Sequence, residues 1–79
     1  MTEQEIFAVL RRHLLDVLPD LDEGRIRLDR SMKDLGANSI DRMDVVIGVQ
    51  DELGVNVPAA AMKDVHDLRS LVVALQAHS

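Results

Sequence analysis

The sequence contains no cysteine, which excludes a disulfide-stapled scaffold, a thiolate zinc site and a cysteine nucleophile. Its only aromatic residue is Phe7, so stacking platforms for bases or sugars are missing and the core must be aliphatic. No apolar run approaches the roughly 20 residues of a membrane span. The opening Met1-Thr2-Glu3-Gln4-Glu5 is acidic and polar, where a secretory leader would be basic and then apolar. Positive charge is scarce: nine Lys and Arg stand against fourteen Asp and Glu, for a net charge of -5. Such a surface repels phosphate backbones and anionic lipid. These absences predict a cytoplasmic monomer with neither nucleic acid nor membrane among its partners.

What is present fits one small folded unit over residues 1–79. With 47% hydrophobic and 29% charged residues, the chain is apolar enough to fold alone, yet too short for an active site between two domains. Thr2-Glu3-Gln4-Glu5 has the form of a capping box, and Ile6, Val9/Leu10, His13/Leu14 and Val17/Leu18 follow at helical spacing. A first helix is predicted from Thr2 to Leu18, stopped by Pro19. From Pro19 to Asn38 no period is sustained. A loop of this length in so small a domain signals function or tie-down by its own side chains, with Leu21, Ile26, Leu28, Met32 and Leu35 as the anchors and Gly36 at a turn needing positive φ.

A second helix should begin at Asn38 or Ser39 and end near Leu53, where Gly54 suits the residue past a helix end. Pro58 suits the first turn of a short third helix reaching Lys63. Asp64-Val65-His66-Asp67 reads as a cap with an acidic third position, opening a fourth helix through Leu68, Leu71, Val72 and Leu75. The predicted fold is therefore all-α: four helices, with a long first loop and a short third helix.

The second helix carries more apolar surface than one core face needs. Counted from Ile40 at 100° per residue, Val45, Val49, Leu53 and Val46 fall between roughly 140° and 240°, as a core stripe. Ile40, Met43 and Ile47 fall near the opposite side, edged by Asp44 and Asp51 at roughly 40° and 20°. Either the helix is buried on both sides, or this second strip docks a partner. Carboxylates beside the strip disfavour deep burial, since unpaired charges are seldom taken inside. Between Ser39 and Leu53, Asp41, Asp44, Asp51 and Glu52 face a single cation, Arg42, so the expected partner surface is basic with an apolar notch. Arg42, at roughly 200°, fits the core side poorly; it is expected to snorkel at the helix end or pair with a loop carboxylate.

Ser39 stands where free backbone N–H groups and the positive end of the helix dipole favour a phosphate group. The ordinary role for a Ser at that place is the helix cap, and its loss in Ser39→Ala would then cost about 1 kcal/mol. Catalysis by Ser39 would need a base and an orienting acid. His13 shares a register with core positions, His66 sits in a cap and His78 in the tail, so none is placed for it. Their scatter also lacks the i, i+4 spacing of a zinc pair, and no catalytic or metal residue is assigned. Gly48, in the middle of the helix, is expected to mark close helix packing.

The segment Asp34-Leu35-Gly36-Ala37-Asn38-Ser39-Ile40-Asp41 closely resembles the signature of the acyl carrier proteins of fatty-acid and polyketide synthases. Val55-Asn56-Val57-Pro58 and Val65-His66-Asp67-Leu68 match the lead-ins to the family's third and fourth helices, so the resemblance covers nearly the whole chain. It implies an acyl-carrier-like four-helix bundle in which Ser39 receives 4′-phosphopantetheine from coenzyme A through a separate phosphopantetheinyl transferase. It further implies a non-catalytic carrier, holding acyl groups as thioesters on the arm's terminal thiol, which a chain without Cys cannot otherwise supply. The same resemblance makes the second helix the recognition element, with Asn38, Ile40, Asp41, Met43, Asp44 and Ile47 as docking residues. Its partners would be acyltransferase, ketosynthase or hydroxymethylglutaryl-synthase-like enzymes. Asn38 departs from the Asp usual before the Ser; Asn caps equally well, so only transferase preference is in question. Gly36-Ala37-Asn38-Ser39-Ile40-Asp41-Arg42 is similar to discrete polyketide carriers and, more loosely, to acetyl donors of β-branching cassettes. The alternatives are a peptidyl carrier of nonribosomal synthesis and a small helical adaptor that never carries a group.

Overall fold

The computed structural model describes residues 1–79 and contains helices without strands. Helix α1 spans Glu3–Val17, α2 Ser39–Leu53, α3 Ala59–Met62 and α4 Leu68–Ala77, with one 3₁₀ turn at Glu23–Arg25 inside the first long loop. No helix is long and apolar enough to cross a membrane. The all-α expectation holds, and most helix ends fall within a residue or two of their predicted places.

Helix α1 starts as its sequence dictates: the Thr2 hydroxyl accepts from the Glu5 amide and the Glu5 carboxylate accepts from the Thr2 amide, both at 3.1 Å. Those hydrogen bonds hold the Glu5 carboxyl below its usual range. One start differs from the expectation. Asp67, not Asp64, caps α4; its side chain accepts from the Ser70 amide at 2.8 Å, and the Ser70 hydroxyl accepts from the Asp67 amide at 3.0 Å. Residues 64–66 remain outside the helix because Asp64 and Val65 close turns back to Ala61 and Met62, completing the end of α3.

The core is wholly aliphatic. Ile6, Leu10 and Leu14 of α1, Val45 and Val49 of α2, and Leu68, Leu71, Val72 and Leu75 of α4 are almost completely buried, and no polar side chain joins them. Burial of such side chains contributes about 1.5–3 kcal/mol each before chain entropy is subtracted, making them the main support of the fold. Ile26 and Leu35 from the first loop and Val55 and Val57 from the second complete the cluster, with Leu21, Leu28 and Met32 packed against its edge. All five proposed loop anchors thus meet the core. Backbone bonds add a second tie: the amides of Leu68 and Arg69 donate to the carbonyls of Arg30 and Leu28 at 2.9 and 3.0 Å. The long loop is pinned across the start of α4, rather than hanging free.

Helices α1 and α2 make the main packing seam. Gly48 lies on it against His13, whose Nε2 is 3.0 Å from Glu52 Oε1. Glu52 also binds Arg12. Hydrogen bonds from Arg12 and then His13 hold the Glu52 carboxyl below its ordinary value, and the same contact raises Arg12. A Cβ on Gly48 would lie 2.7 Å from His13 Nδ1 and 2.9 Å from its Cε1. Gly48→Ala is therefore expected to lose about 1 kcal/mol in urea unfolding: the helix-propensity gain of about 1 kcal/mol is outweighed by the displaced ring. In a His13→Ala background the same substitution should stabilise. A gain with His13 present would show that the ring yields without penalty.

Candidate functional site

The site is prepared by the turn that leads into α2. The Ser31 amide donates to Asp34 Oδ2 at 3.1 Å and the Asp34 amide to Ser31 Oγ at 3.0 Å, making a single closed turn over residues 31–34. Hydrogen bonds from Ser31 hold the Asp34 carboxyl below its ordinary value. The turn ends with paired bonds from Ala37 to the Met32 carbonyl and from Gly36 to the Lys33 carbonyl, both 3.0 Å. That pairing needs the left-handed conformation found at Gly36, φ 91°, which a residue bearing a Cβ rarely adopts. Leu35 and Ala37, flanking the glycine, are buried. Arg25 Nη2 donates to the Asp34 carbonyl at 3.0 Å and ties the turn to the loop. The chain thus reaches Asn38 in a direction set by two buried side chains and one glycine.

Asn38 then caps α2. Its Oδ1 accepts from the Asp41 amide at 2.8 Å, and Asp41 Oδ2 accepts from the Asn38 amide at 3.2 Å. This corrects the capping role considered for Ser39: the serine is the first residue of the helix, one position inside the cap. Its side chain is exposed. The one hydrogen bond to its hydroxyl comes from Arg42 Nη2, at 3.2 Å. The amides of Ser39 and Ile40 have no acceptor in the chain, as expected of the first turn. The exposed hydroxyl thus stands at the positive end of a 15-residue helix, beside two amides without acceptors and within reach of one guanidinium.

Of the two roles expected of Arg42, the structure shows the one at the helix end. It is exposed, forms no ion pair with a loop carboxylate, and turns back one helical turn to Ser39. The i, i+3 spacing that brings the pair together is readable in the sequence. So is the Asn38-x-x-Asp41 box, which has the same form as Thr2-x-x-Glu5.

The apolar strip lies open beside this point. Ile40 is 70% exposed, Met43 60% and Ile47 49%, while Val45 and Val49 on the other face are fully buried. Asp44 is exposed beside the strip; Asp41 is half-buried and occupied with the Asn38 amide. Met43 and Ile47 continue into an open groove of about 600 Å³ between α2 and α3, lined also by Met32, Val46, Val57 and Met62, with Arg42 at its edge. The groove is not visible in the helix pattern, because residues from five segments meet there. None of the three histidines reaches Ser39: His13 is bound to Glu52, His66 to the Asp64 carbonyl and His78 to the Ala74 carbonyl. The Ser39 hydroxyl is thus hydrogen-bonded to Arg42 and to none of the histidines.

Asn38→Ala should therefore cost about 1 kcal/mol of stability in chemical denaturation, as a lost cap, while Ser39→Ala should stay within about 0.5 kcal/mol of wild type. The reverse order would return the cap to Ser39.

The comparisons with known proteins agree on one kind of relative. A family model described as a phosphopantetheine attachment site matches residues 8–75. The polyketide biosynthesis acyl-carrier-protein AcpK of Bacillus subtilis (strain 168) is 32% identical over 75 residues, covering 95% of this chain and 92% of its own. The acyl carrier protein of Treponema pallidum (strain Nichols) is 34% identical over 55 residues, or 68% of this chain and 69% of that one. That of Guillardia theta is 27% identical over 73 residues, covering 91% and 89%.

Proposed function

The chain belongs to the acyl carrier protein family, and from that premise we propose that Ser39 is the residue to which its 4′-phosphopantetheine is attached. The observation that carries this reading is the division of labour at the start of α2. Asn38 takes the cap, so the Ser39 hydroxyl stands exposed beside two unpaired amides, held only by Arg42. A phosphodiester there meets donors and a favourable dipole, and its bulk meets solvent, so the residues fit the group.

The group supplies, when bound, a terminal thiol on which acyl chains ride between enzymes. The chain's own contributions are attachment and presentation. In the attachment step Ser39 Oγ gives up its proton and bonds the pantetheine-side phosphorus of coenzyme A, while the pyrophosphate P–O bond breaks and adenosine 3′,5′-bisphosphate leaves. The chain places no general base on that oxygen, so the transferase must supply the acceptor for the proton. Presentation falls to α2. Ile40, Met43 and Ile47 offer apolar contact area and Asp44 a charge, with Asn38 and Asp41 holding the helix start in place; a basic enzyme surface with an apolar notch complements that strip. Because Val45 and Val49 seat this helix on the core from the other side, its outer face can be covered by a partner without disturbing the packing.

Within the family we assign the chain to polyketide biosynthesis as a discrete carrier, serving acyltransferase, ketosynthase or hydroxymethylglutaryl-synthase-like enzymes. The supporting observation is the likeness over 95% of this chain to a protein named as a polyketide biosynthesis carrier. The Gly36-Ala37-Asn38-Ser39-Ile40-Asp41-Arg42 segment extends the proposal to an acetyl donor for β-branching. A short acyl group is compatible with the open groove beside Met43, which is a shallow apolar recess rather than a closed tunnel.

Incubation with coenzyme A and a broad-range phosphopantetheinyl transferase should add the mass of one arm to the wild-type protein, localised to Ser39 by peptide mass spectrometry, and none to Ser39→Ala. Gain of the arm by a folded Ser39→Ala protein would refute the assignment. Separately, Met43→Ala with Asp44→Lys should slow turnover with a cognate enzyme about tenfold or more while leaving stability within about 1 kcal/mol. Unfolding of that double variant would make the strip part of the core.

A further inference from the structure

We propose that Arg42 is the positioning residue of the attachment site: its guanidinium grips the phosphodiester formed on Ser39 and holds the root of the arm at the edge of the α2–α3 groove. The inference rests on Ser39 as the point of attachment, and goes beyond it by giving a named side chain a role toward the attached group.

Three observations carry it. Arg42 Nη2 already donates to Ser39 Oγ at 3.2 Å. Once phosphorus is bonded to that oxygen, its two unbridged oxygens lie two bonds from the atom Arg42 touches, within the span of a planar, five-donor guanidinium. Second, Arg42 has no carboxylate partner of the kind that Arg11, Arg12 and Arg27 have in Glu23, Glu52 and Asp29, and unlike the similarly unpaired Arg25, Arg30 and Arg69 it has its side chain on Ser39. On a helix otherwise bearing Asp41, Asp44, Asp51 and Glu52, its charge is uncommitted. Third, Arg42 shares the lining of the groove with Met43, Val46 and Ile47, so a phosphate bound to it lies on that flank of α2.

Charge gives the arrangement its purpose. A phosphodiester is an anion at every physiological pH, and here it is added beside Asp41 and Asp44, in a protein of net charge -5. The two free amides and the helix dipole offset part of that repulsion, but they point along the helix axis and do not select a side. A guanidinium one turn along, on the α3 side, does. Arg serves this role better than Lys because its fork can engage both oxygens at once.

The test uses the full chain, ¹⁵N-labelled, before and after loading with coenzyme A and a transferase, with mass spectrometry confirming the arm. On loading, the Arg42 Nε–H resonance of the wild type should move, while those of Arg11 and Arg27 stay in place. The ³¹P line of loaded Arg42→Gln should shift and narrow relative to loaded wild type, and Arg42→Lys should fall between them. Unloaded Arg42→Gln should melt within about 3 °C of the unloaded wild type, since the side chain is exposed. An unmoved Arg42 resonance, or a ³¹P line of the same position and width in loaded wild type and Arg42→Gln, overturns the proposal with Ser39 intact as attachment point. If Arg42→Gln takes no arm, the wild-type Arg42 resonance decides alone: movement supports the grip, its absence refutes it. A wild type that gains no mass overturns the Ser39 assignment itself, and this inference with it.

Discussion

The burial of Val45 and Val49 is the constraint from which the site follows. These two side chains seat α2 on the core and leave no exposed surface of their own. Because they occupy one side of the helix, Ile40, Met43 and Ile47 are turned outward on the other, however apolar they are. A domain with three longer helices and one of four residues has nothing left to cover them. The apolar strip is thus a geometric consequence of size, and the carboxylates at its margin disfavour covering it with a second layer of core.

Position along the helix is set with equal economy by the turn before it. Leu35 and Ala37 are buried, Gly36 alone takes the left-handed conformation between them, and the Ser31–Asp34 turn is closed by its own side chains. Since Asn38 and Asp41 then satisfy each other's amides, Ser39 is left with no structural task. A hydroxyl used as a cap would have to surrender its hydrogen bond on modification. The modification proposed for Ser39 would displace only a contact with Arg42, an exposed side chain that can turn to the new group. Stability and the proposed carriage thus fall to adjacent residues and do not compete.

The opposite side of α2 shows what a tightly specified contact looks like in the same molecule. Gly48 admits the His13 ring where a methyl group would collide, and Glu52 binds both His13 and Arg12. This seam holds α1 and α2 at close range. The open face has neither small residues nor interlocking charge: Ile40 and Ile47 are stiff β-branched side chains, and Met43 between them is the flexible one. One helix thus serves as a rigid core element along one side and carries the proposed docking strip along the other.

Much of this is legible in the order of residues. Helical spacing in α1 and α2, the box at Thr2-Glu5, the glycines at 36 and 54, and the outward strip on α2 all follow from periodicity and from local backbone chemistry, which operate within a few residues. The resemblance around Asp34-Leu35-Gly36 and Ser39 points to a carrier by the same short-range route. What stays hidden requires distant parts of the chain. The pinning of Arg30 and Leu28 across α4, the groove where Met32, Met62 and Val57 meet Met43, and the ring of His13 against Gly48 join segments separated by tens of residues. Two departures are local. Ser39 reads as readily as Asn38 for a cap, and Asp64 as readily as Asp67 for the start of α4, because Ser, Asn and Asp all cap helices and composition alone does not choose among neighbours. The sequence by itself determined which faces are apolar and where helices can begin, because those depend on 3.6-residue periodicity and hydrogen bonds to near neighbours. Only the tertiary structure decided which serine is free and which cation leans over it, because a one-residue change in where the core seats α2 rotates every side chain by about 100° around its axis.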